Sequence, residues 1–340
     1  MFCNRQQRVT LAMNDETGEW LNIIKGAPQG SLFGPFGYNV FSNDLLFLMK
    51  EFCDIYNYAD DNTISCYGMN VDEAKCKISI ALDVMLNWFE NNGLKANPEK
   101  FQMILFQRQQ IPNDECVKVN DISIPNQMHV KLLGVYIDSK LDFNIHIHEI
   151  CKKAGYKLNV LSRLSRQLDE SAKLLLLHSF ILSYFNYCSV VWHFCNTEST
   201  KKIEKIKKRA LRYVYKYFSS SYECLREKCN LPLVYTQRLR YVLLEVYKVY
   251  HKLGPLYLHD LFSVQNATYN LRKDQMLFLP RYTTVRYGTN SFSYQGIKLW
   301  NDLDNKFKIM NYKEFKESLS TWLPKTCHCS NCILCKLFSL

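Results

Sequence analysis

Apolar and polar residues recur with distinct periods in the first part of the chain, and these periods predict helices and strands. Residues 71–92 carry apolar side chains at three- and four-residue spacing, which predicts an amphipathic helix that ends at Gly93. Residues 32–49 are apolar over a length that predicts a second helix, with Ser31 as its N-cap. The pattern also predicts six strands, namely two within residues 8–24 around a turn, then residues 54–58, 62–66, 101–106 and 131–137.

From about residue 147 onward, long helical periods replace this mixed pattern. The predicted helices cover residues 150–168, 171–193, 201–217 and 235–253. Past Pro255 the chain mixes basic and aromatic residues, and it ends in a group of cysteines. The pattern therefore predicts an α+β protein whose second part is helical. We expect four regions, which are residues 1–148, 149–260, 261–326 and 327–340.

One uncharged stretch, residues 174–194, is long enough to cross a bilayer. It also contains six side chains that insert poorly at mid-membrane, which are His178, Ser179, Ser183, Asn186, Ser189 and His193. A helix buried between other helices accounts for both the apolar character and the polar interruptions. We therefore expect a buried helix here and not a membrane span.

The charge of the chain favours an acidic partner. Its 43 Lys and Arg exceed its 32 Asp and Glu, which gives a formal net charge of +11 and makes nucleic acid or an anionic membrane the candidate partner. Met1-Phe2-Cys3 runs directly into polar residues without the features of a signal peptide. Ten of the 14 cysteines are scattered without framework spacing. We expect reduced thiols and an intracellular location, in the nucleus or the cytoplasm, rather than secretion.

The short motif Tyr58-Ala59-Asp60-Asp61 lies where two predicted strands meet. Adjacent carboxylates at a hairpin tip repel each other unless a cation is bound there. Alternation along a strand would direct them to opposite sides, so the turn must bend for both to approach one metal cluster. Nucleotidyl transfer uses such a site, because two Mg²⁺ ions about 3.5–4 Å apart activate a hydroxyl and neutralise triphosphate charge. The alternative is an ordinary polar turn, since Asp is common in turns.

The blocks around this motif resemble those of reverse transcriptases. Gly26-Ala27-Pro28-Gln29-Gly30-Ser31 is similar to the Gly-x-Pro-Gln-Gly-Ser block that precedes Tyr-Ala-Asp-Asp in non-LTR retrotransposons related to jockey. Further matches continue in register along the chain and comprise Asn4-Arg5 with Gln7 and Val9, Phe33-Gly34-Pro35, Asn43-Asp44-Leu45, Trp88-Phe89 with Asn92, Leu94, Asn97 and Lys100, Leu132-Leu133-Gly134-Val135 with Asp138, Ser291-Phe292-Ser293-Tyr294-Gln295-Gly296, and Leu299-Trp300-Asn301.

The resemblance implies a LINE-type RNA-directed DNA polymerase, with a partial palm of antiparallel strands and packed helices followed by a helical, thumb-like region and a small C-terminal segment. Its implied partners are an RNA template, a DNA primer or target, and deoxynucleoside triphosphates. By position, Asp60 and Asp61 would be catalytic ligands of Mg²⁺ or Mn²⁺. The substrate-binding residues would be Gln29, Gly30, Ser31, Tyr58 and Lys100, with Lys100 near the triphosphate.

The departures from the family pattern bear on activity. The third catalytic carboxylate and the fingers of the family lie upstream of the element that Asn4-Arg5 resembles, and Asp15 and Glu16 fall at the wrong place to substitute. Phe36-Gly37-Tyr38 also replaces the apolar Leu-Leu-Phe that is usual in the family. We therefore expect an incomplete fragment that does not polymerise alone. The alternative is a non-catalytic nucleic-acid-binding remnant.

A basic helix is predicted in the second part of the chain. Residues 201–216 hold eight Lys and Arg and a single acid, Glu204, around an apolar stripe. Such a helix can dock by its stripe and present cations to phosphates, with the interleaved Tyr213, Tyr215 and Tyr217 available to stack on bases. The predicted nucleic-acid contacts are Lys201, Lys202, Lys205, Lys208, Arg209 and Arg212. A solvated basic face and a membrane-surface helix are the alternatives.

Four cysteines lie within nine residues at the end of the chain, which are Cys327, Cys329, Cys332 and Cys335. Thiolates suit zinc, so a Cys₄ zinc site is one interpretation. The first spacing is tighter than usual, and free or oxidised thiols are the alternative. His146 and His148 are isolated and are expected to be surface or packing residues rather than ligands.

Overall fold

The computed structural model describes residues 5–8, 10, 16–23, 26, 30–107, 115–263 and 276–322. The chain divides into two compact units, Met1–Gln127 and Met128–Leu340. The predicted mixture of helices and small antiparallel sheets is confirmed, and each sheet in the described part of the chain is a two-stranded hairpin.

The first unit alternates hairpins and helices. Its elements are β1 (Arg5–Gln7), β2 (Leu21–Ile23), α1 (Phe33–Phe41), α2 (Asn43–Met49), β3 (Asp54–Tyr58), β4 (Asp61–Ser65), α3 (Val71–Asn91), a 3-10 turn (Pro98–Lys100), β5 (Cys116–Val119) and β6 (Ile122–Pro125). A hairpin forms before residue 24, since β1 pairs with β2 and Thr10 bridges Thr17, but β1 lies before the predicted range of residues 8–24.

Helix α3 forms the middle of the core of the first unit, and its bounds agree with the prediction for residues 71–92. Asn70 caps its first turn, because its side chain accepts the Glu73 N–H at 2.8 Å. The apolar face of α3 is buried against α2 and the β5–β6 hairpin. The buried side chains of this core are Leu45, Met49, Cys53, Ala81, Leu82, Met85, Trp88, Val117, Val119 and Ile124.

The single helix predicted over residues 32–49 is wrong, because the chain breaks it at Ser42. The Ser42 hydroxyl and N–H both donate to the Tyr38 carbonyl, at 2.9 and 2.8 Å, which closes α1 before α2 begins. At the other end, Leu32 and not the predicted Ser31 is the N-cap of α1, although the Ser31 hydroxyl accepts the Gly34 N–H at 3.1 Å.

The strand predicted over residues 101–106 is also wrong. This segment makes one isolated bridge, from Met103 to Asn126, and the Asn126 side chain accepts the Leu105 N–H at 3.0 Å. An asparagine side chain therefore provides hydrogen bonding that a strand ladder would otherwise supply. The hairpin that does form in this region, β5–β6, was missed by the sequence pattern.

The second unit is mainly helical. Its elements are β7 (His129–Leu132), β8 (Val135–Asp138), α4 (Asn144–Leu164), α5 (Glu170–Leu176), a π-helical turn (Leu177–Leu182), α6 (Ser183–Asn186), α7 (Ser189–Trp192), α8 (Thr197–Tyr215), α9 (Tyr222–Lys228), α10 (Val234–Tyr250), a 3-10 turn (Leu256–Leu261), a π-helical turn (Val285–Thr289), α11 (Phe292–Asn301), α12 (Asn305–Lys308) and α13 (Tyr312–Thr321).

Two apolar clusters hold the second unit together. The first joins β8, α4, the π-helical turn and α8 around the fully buried Trp192 and Phe185. The second joins α10, α11 and α13, where the rings of Tyr247 and Phe315 stack with centroids 4.5 Å apart and Trp300 is fully buried beside them. Because Val135 of β8 belongs to the first cluster, the β7–β8 hairpin packs with α4. The compact units therefore divide before Met128, earlier than the predicted boundary near residue 148, and the four-region division remains a prediction.

The long helix predicted over residues 171–193 is wrong, because the chain turns at Tyr187 and Cys188. Cys188 has a φ of 47°, in the left-handed region. Two hydrogen bonds fix the turn, since the Tyr187 hydroxyl donates to the Leu133 carbonyl at 2.7 Å and the Trp192 indole donates to the Tyr187 carbonyl at 3.1 Å. None of the helices in the described residues is long and apolar enough to span a membrane.

Candidate metal site at the acidic hairpin

The acidic motif occupies a tight hairpin, as its pattern predicts. Tyr58 pairs with Asp61 at the end of the β3–β4 ladder, so Ala59 and Asp60 form the turn between the two strands. Ala59 has a φ of 52° in the left-handed region, where an L-residue carries a penalty of about 1–2 kcal/mol. This turn interrupts the strand alternation between Asp60 and Asp61, and both residues are exposed. The turn therefore bends the backbone between the two strands, and the approach of both carboxylates to one metal cluster remains a prediction.

Two asparagines support the hairpin from within the ladder. Asn57 and Asn62 are register partners, and the Asn62 side-chain amide donates to the Asp60 carbonyl at 3.2 Å. This bond ties the turn to the first residues of β4. The carbonyl oxygens of both asparagine side chains are shielded from solvent and have no hydrogen-bond partner among the described residues.

Tyr38 is a neighbour of the acid pair that the sequence pattern did not identify. Burial raises the pKa of its phenol, and the negative charge of Asp60 raises that pKa further. Tyr38, on α1, is therefore close enough to the hairpin turn to interact with Asp60. Tyr38 belongs to the Phe36-Gly37-Tyr38 stretch that departs from the apolar family pattern. This departure could have pointed to Tyr38 in the sequence, because a tyrosine with a polar hydroxyl stands where the family has an apolar phenylalanine.

The remaining predicted substrate residues are spread over the first unit. Gly30 has a φ of 77°, which glycine adopts readily, and a Cβ added there would meet nothing within 4 Å. Ser31 lies just before α1 and accepts the Gly34 N–H, Tyr58 is 66% exposed at the hairpin, and Lys100 ends an exposed 3-10 turn. Gln29 lies outside the described residues. In the part of the chain that the structure describes, no hydrogen bond or ion pair joins Gly30, Ser31 or Lys100 to the acid pair.

The metal-binding capacity of the hairpin is limited to its own two carboxylates. Across the described residues, no three His, Cys, Asp or Glu side chains lie close enough together to hold a metal ion. Neither carboxylate has a hydrogen-bond or ion-pair partner among those residues. Mg²⁺ prefers hard oxygen ligands and is usually held by one or two carboxylates together with substrate phosphates and water. The pair therefore fits Mg²⁺ as part of a ligand set that substrate or another segment completes.

The predicted zinc ligands lie outside the described residues, so Cys327, Cys329, Cys332 and Cys335 remain a prediction. The two isolated histidines lie within the described residues. His146 is buried beside Trp192, with ring centroids 5.8 Å apart, and its ring nitrogen accepts the Tyr136 N–H at 3.4 Å. His146 is thus a packing residue, and His148 is an exposed one.

Helix α8 places the predicted nucleic-acid contacts at or near the surface. Lys202, Lys205 and Arg209 are exposed, while Lys201, Lys208 and Arg212 are half-buried. The apolar stripe faces the core, and Lys207, which was not among the predicted contacts, is buried with it and donates to the Pro232 carbonyl. Tyr215 is only 5% exposed, so the prediction that it stacks on bases is wrong.

The family model of reverse transcriptase (RNA-dependent DNA polymerase) matches residues 2–137, which include the acidic hairpin. No solved structure matches the chain. The class of protein that the hairpin and its flanking blocks indicate is therefore supported by an independent comparison over the first two-fifths of the chain.

The curated relatives point to a narrower group within the reverse transcriptases, namely those of mobile and retrotransposable elements. The chain is 27% identical over 203 residues to the RNA-directed DNA polymerase from mobile element jockey of Drosophila melanogaster, covering 56% of this chain and 22% of the relative. It is 25% identical over 177 residues to the Retrovirus-related Pol polyprotein from type-1 retrotransposable element R1 2 of Nasonia vitripennis, covering 49% of this chain and 43% of the relative. The chain thus spans less than half of each relative. The resemblance to LINE-type, jockey-like reverse transcriptases is confirmed.

Proposed function

We propose that this chain forms part of the RNA-directed DNA polymerase of a non-LTR retrotransposon, with Asp60 and Asp61 as ligands of its catalytic Mg²⁺ or Mn²⁺. The observation that carries the proposal is the β3–β4 hairpin, which presents two exposed carboxylates at a left-handed turn. This hairpin lies within the segment similar to reverse transcriptases. The chain would bind an RNA template, a DNA primer or target, and deoxynucleoside triphosphates.

Each residue of the site has a separate role in this proposal. The two carboxylates hold the metal, which when bound activates the primer 3′-hydroxyl and neutralises triphosphate charge. The Asn62 amide holds the turn, since it donates to the Asp60 carbonyl. Gln29, Gly30, Ser31, Tyr58 and Lys100 contact template or nucleotide. The first unit acts as the palm, and the helices after it act as a thumb-like region.

The acid pair requires a third carboxylate from outside the described residues. Two carboxylates alone hold a pair of divalent ions weakly, because the repulsion between the ions is only partly offset. No further His, Cys, Asp or Glu joins the pair in the described residues to supply the missing charge. We therefore expect the two carboxylates by themselves to bind one divalent ion weakly, and we expect no primer extension from a site that lacks a third carboxylate.

Manganese binding tests the site directly. Electron paramagnetic resonance titration of Mn²⁺ should detect a weak site that Asp60→Asn and Asp61→Asn each weaken at least several-fold. Asp121→Asn is the matched control, because Asp121 also lies at an exposed hairpin turn of the first unit, between β5 and β6, and it should leave the titration unchanged. Equal Mn²⁺ binding by the wild type and both hairpin variants would refute the metal role.

Primer extension separates the catalytic proposal from its alternative. An RNA template with an annealed DNA primer, incubated with Mg²⁺ or Mn²⁺, should show no incorporation above the Asp60→Ala background. Incorporation that Asp60→Ala abolishes would establish the metal role and disprove the need for a third ligand. A chain that binds the template but no metal would be the non-catalytic nucleic-acid-binding remnant.

A further inference from the structure

Helices α4 and α8 pack side by side and run in the same direction. Near the starts of both helices, the Asn144 side-chain oxygen accepts hydrogen bonds from the Asn196 amide at 3.0 Å and the Ser199 hydroxyl at 3.2 Å. About two turns along α4, burial raises the pKa of the Cys151 thiol to about 11 while the charge of Lys202 on α8 lowers it, so these two residues are neighbours. Contacts that advance together along both helices define a parallel pair.

The parallel packing creates a groove between two rows of residues. Because residues three and four apart share a helix face, the row that starts at Cys151 faces the row that starts at Lys202. The first row is Cys151, Gly155, Asn159 and Ser162, with Arg166 two residues past the end of α4, and the second row is Lys202, Ile206, Arg209 and Tyr213. A Cβ added at Gly155 would meet nothing within 4 Å, so the groove is open at that point. We call this feature the α4–α8 groove.

Cations line both sides of the α4–α8 groove. Six exposed basic residues lie on these rows or directly beside them, and they are Lys152, Arg163, Arg166, Lys202, Lys205 and Arg209. Neither row contains an acid, and the single acid of the basic segment, Glu204, is buried. None of the six cations forms an ion pair with another described residue. Unpaired cations on both sides of a groove favour a polyanion over an isolated anion.

A recess at the end of the groove combines charge with aromatic rings. Arg209, Arg212, Tyr213 and Phe218 line a cavity of about 160 Å³. The rings of Tyr213 and Phe218 meet nearly edge to face, with centroids 5.6 Å apart, and Phe218 is 57% exposed. The Arg212 Nε–H is shielded from solvent and has no acceptor among the described residues. The recess therefore offers an unused donor beside an accessible aromatic face.

We propose that the α4–α8 groove binds a single-stranded nucleic acid, with phosphates on its six cations and one unpaired base against Phe218 in the recess. Grooves of this kind combine a cationic track with rings on which bases stack. A base can enter the recess and stack on Phe218 only when it is not held in a base pair, so a single strand fits better than a duplex. A membrane-surface helix needs an exposed apolar face, whereas the apolar stripe of α8 is buried in the core. The inference does not rest on the acidic hairpin.

Gly155 allows a test with little risk to folding. Gly155→Glu puts a carboxylate into open space in the groove, and Gly155→Gln adds a side chain of the same size without charge. Both replace a helical glycine, which should stabilise α4 by up to about 1 kcal/mol. Fluorescence anisotropy with a labelled 20-nucleotide single strand should show at least tenfold weaker binding for Gly155→Glu than for Gly155→Gln. Equal affinities for these two variants would overturn the proposal.

Two further measurements test the recess and the cations of the α4–α8 groove. Phe218→Ala should weaken single-strand binding at least about fivefold, as expected for loss of base stacking, whereas Phe218→Trp should retain it. For six engaged phosphates the slope of log affinity against log salt should be about −4, since single strands contribute about 0.7 per phosphate. Lys313→Ala, on an exposed position of α13, lowers the net charge by one as Gly155→Glu does, and this charge-matched control should bind like the wild type.

Competing occupants give distinct results. Duplex DNA that binds as tightly as the single strand, with no effect of Phe218→Ala, would refute the base-stacking role. Vesicles of phosphatidylserine and phosphatidylcholine that bind the chain while the single strand does not would identify a membrane surface and overturn the proposal. Asp60→Asn should bind the single strand as the wild type does, so failure of this proposal and failure of the metal site are distinguishable.

Discussion

One carboxylate organises the turn that leads into α4, and its removal makes a sharp test of the second unit. Asp138 is 7% exposed, and its two oxygens accept three backbone N–H groups. The donors are Lys140 at 3.0 Å, Asp142 at 3.2 Å and Phe143 at 2.8 Å. The turn that they enclose places Leu141 and Phe143 in the left-handed region, with φ of 53° and 56°.

The expected cost follows from these three bonds. A hydrogen bond to a charged group contributes about 1.5–3 kcal/mol, but bonds that share one acceptor are not additive. Asp138→Ala should therefore lower the free energy of unfolding of the second unit by about 3–5 kcal/mol. Asp138→Asn keeps one acceptor oxygen and should lose about half of that amount. Asp142→Ala is the control, because Asp142 is only half-buried and its side chain accepts only the Asn144 N–H, at 3.0 Å, so a loss of about 1 kcal/mol is expected.

Urea denaturation followed by circular dichroism measures these differences, since the second unit supplies most of the helices in the described residues. The three variants should rank with Asp138→Ala the least stable, Asp138→Asn next and Asp142→Ala nearest to the wild type. An Asp138→Ala midpoint at or above that of Asp142→Ala would show that the carboxylate does not hold the turn.

Three further predictions concern other parts of the chain. Ala59→Gly should raise the free energy of unfolding of the first unit, measured by urea denaturation, by up to about 1 kcal/mol, because glycine relieves the left-handed φ at the hairpin, and an unchanged or lower free energy would argue against that strain. Tyr222→Phe should lower the free energy of unfolding of the second unit by about 1.5–3 kcal/mol, since it removes the 2.6 Å hydrogen bond to the buried Glu204, while Tyr217→Phe at an exposed ring should have no effect. Burial lowers the pKa of His146 to about 4, and the charge of Lys153 contributes to this shift. Below about pH 6.5 the unfolded chain therefore binds a proton at His146 that the folded chain does not bind. The second unit should lose thermal stability between pH 6.5 and 4, and His146→Gln should make that loss shallower.

The site shows where sequence reasoning succeeds and where it stops. The β3–β4 hairpin was predictable, because strand alternation on both sides of Asp60 and Asp61 is a property of adjacent residues. Tyr38 was not identified as a neighbour of Asp60, because α1 and the hairpin approach each other only after both pack in the first unit. The α4–α8 groove could not be predicted from the sequence either. Its two rows come from segments about fifty residues apart, and the local sequence pattern of each segment does not contain their parallel packing.

The sequence by itself determined the elements whose pattern depends on local chain geometry. The period of α3, the hairpin around the acid pair and the apolar stripe of α8 each follow from side chains that one core must bury. Tertiary structure decided the breaks, as when the Tyr187 hydroxyl reaches the Leu133 carbonyl and ends a helix that its apolar content would continue. It also decided which cations are available, since Lys207 is buried while Arg209 faces the recess. Contacts between distant residues set these outcomes, because the energy that ends a helix or buries a charge comes from partners that a local pattern does not contain.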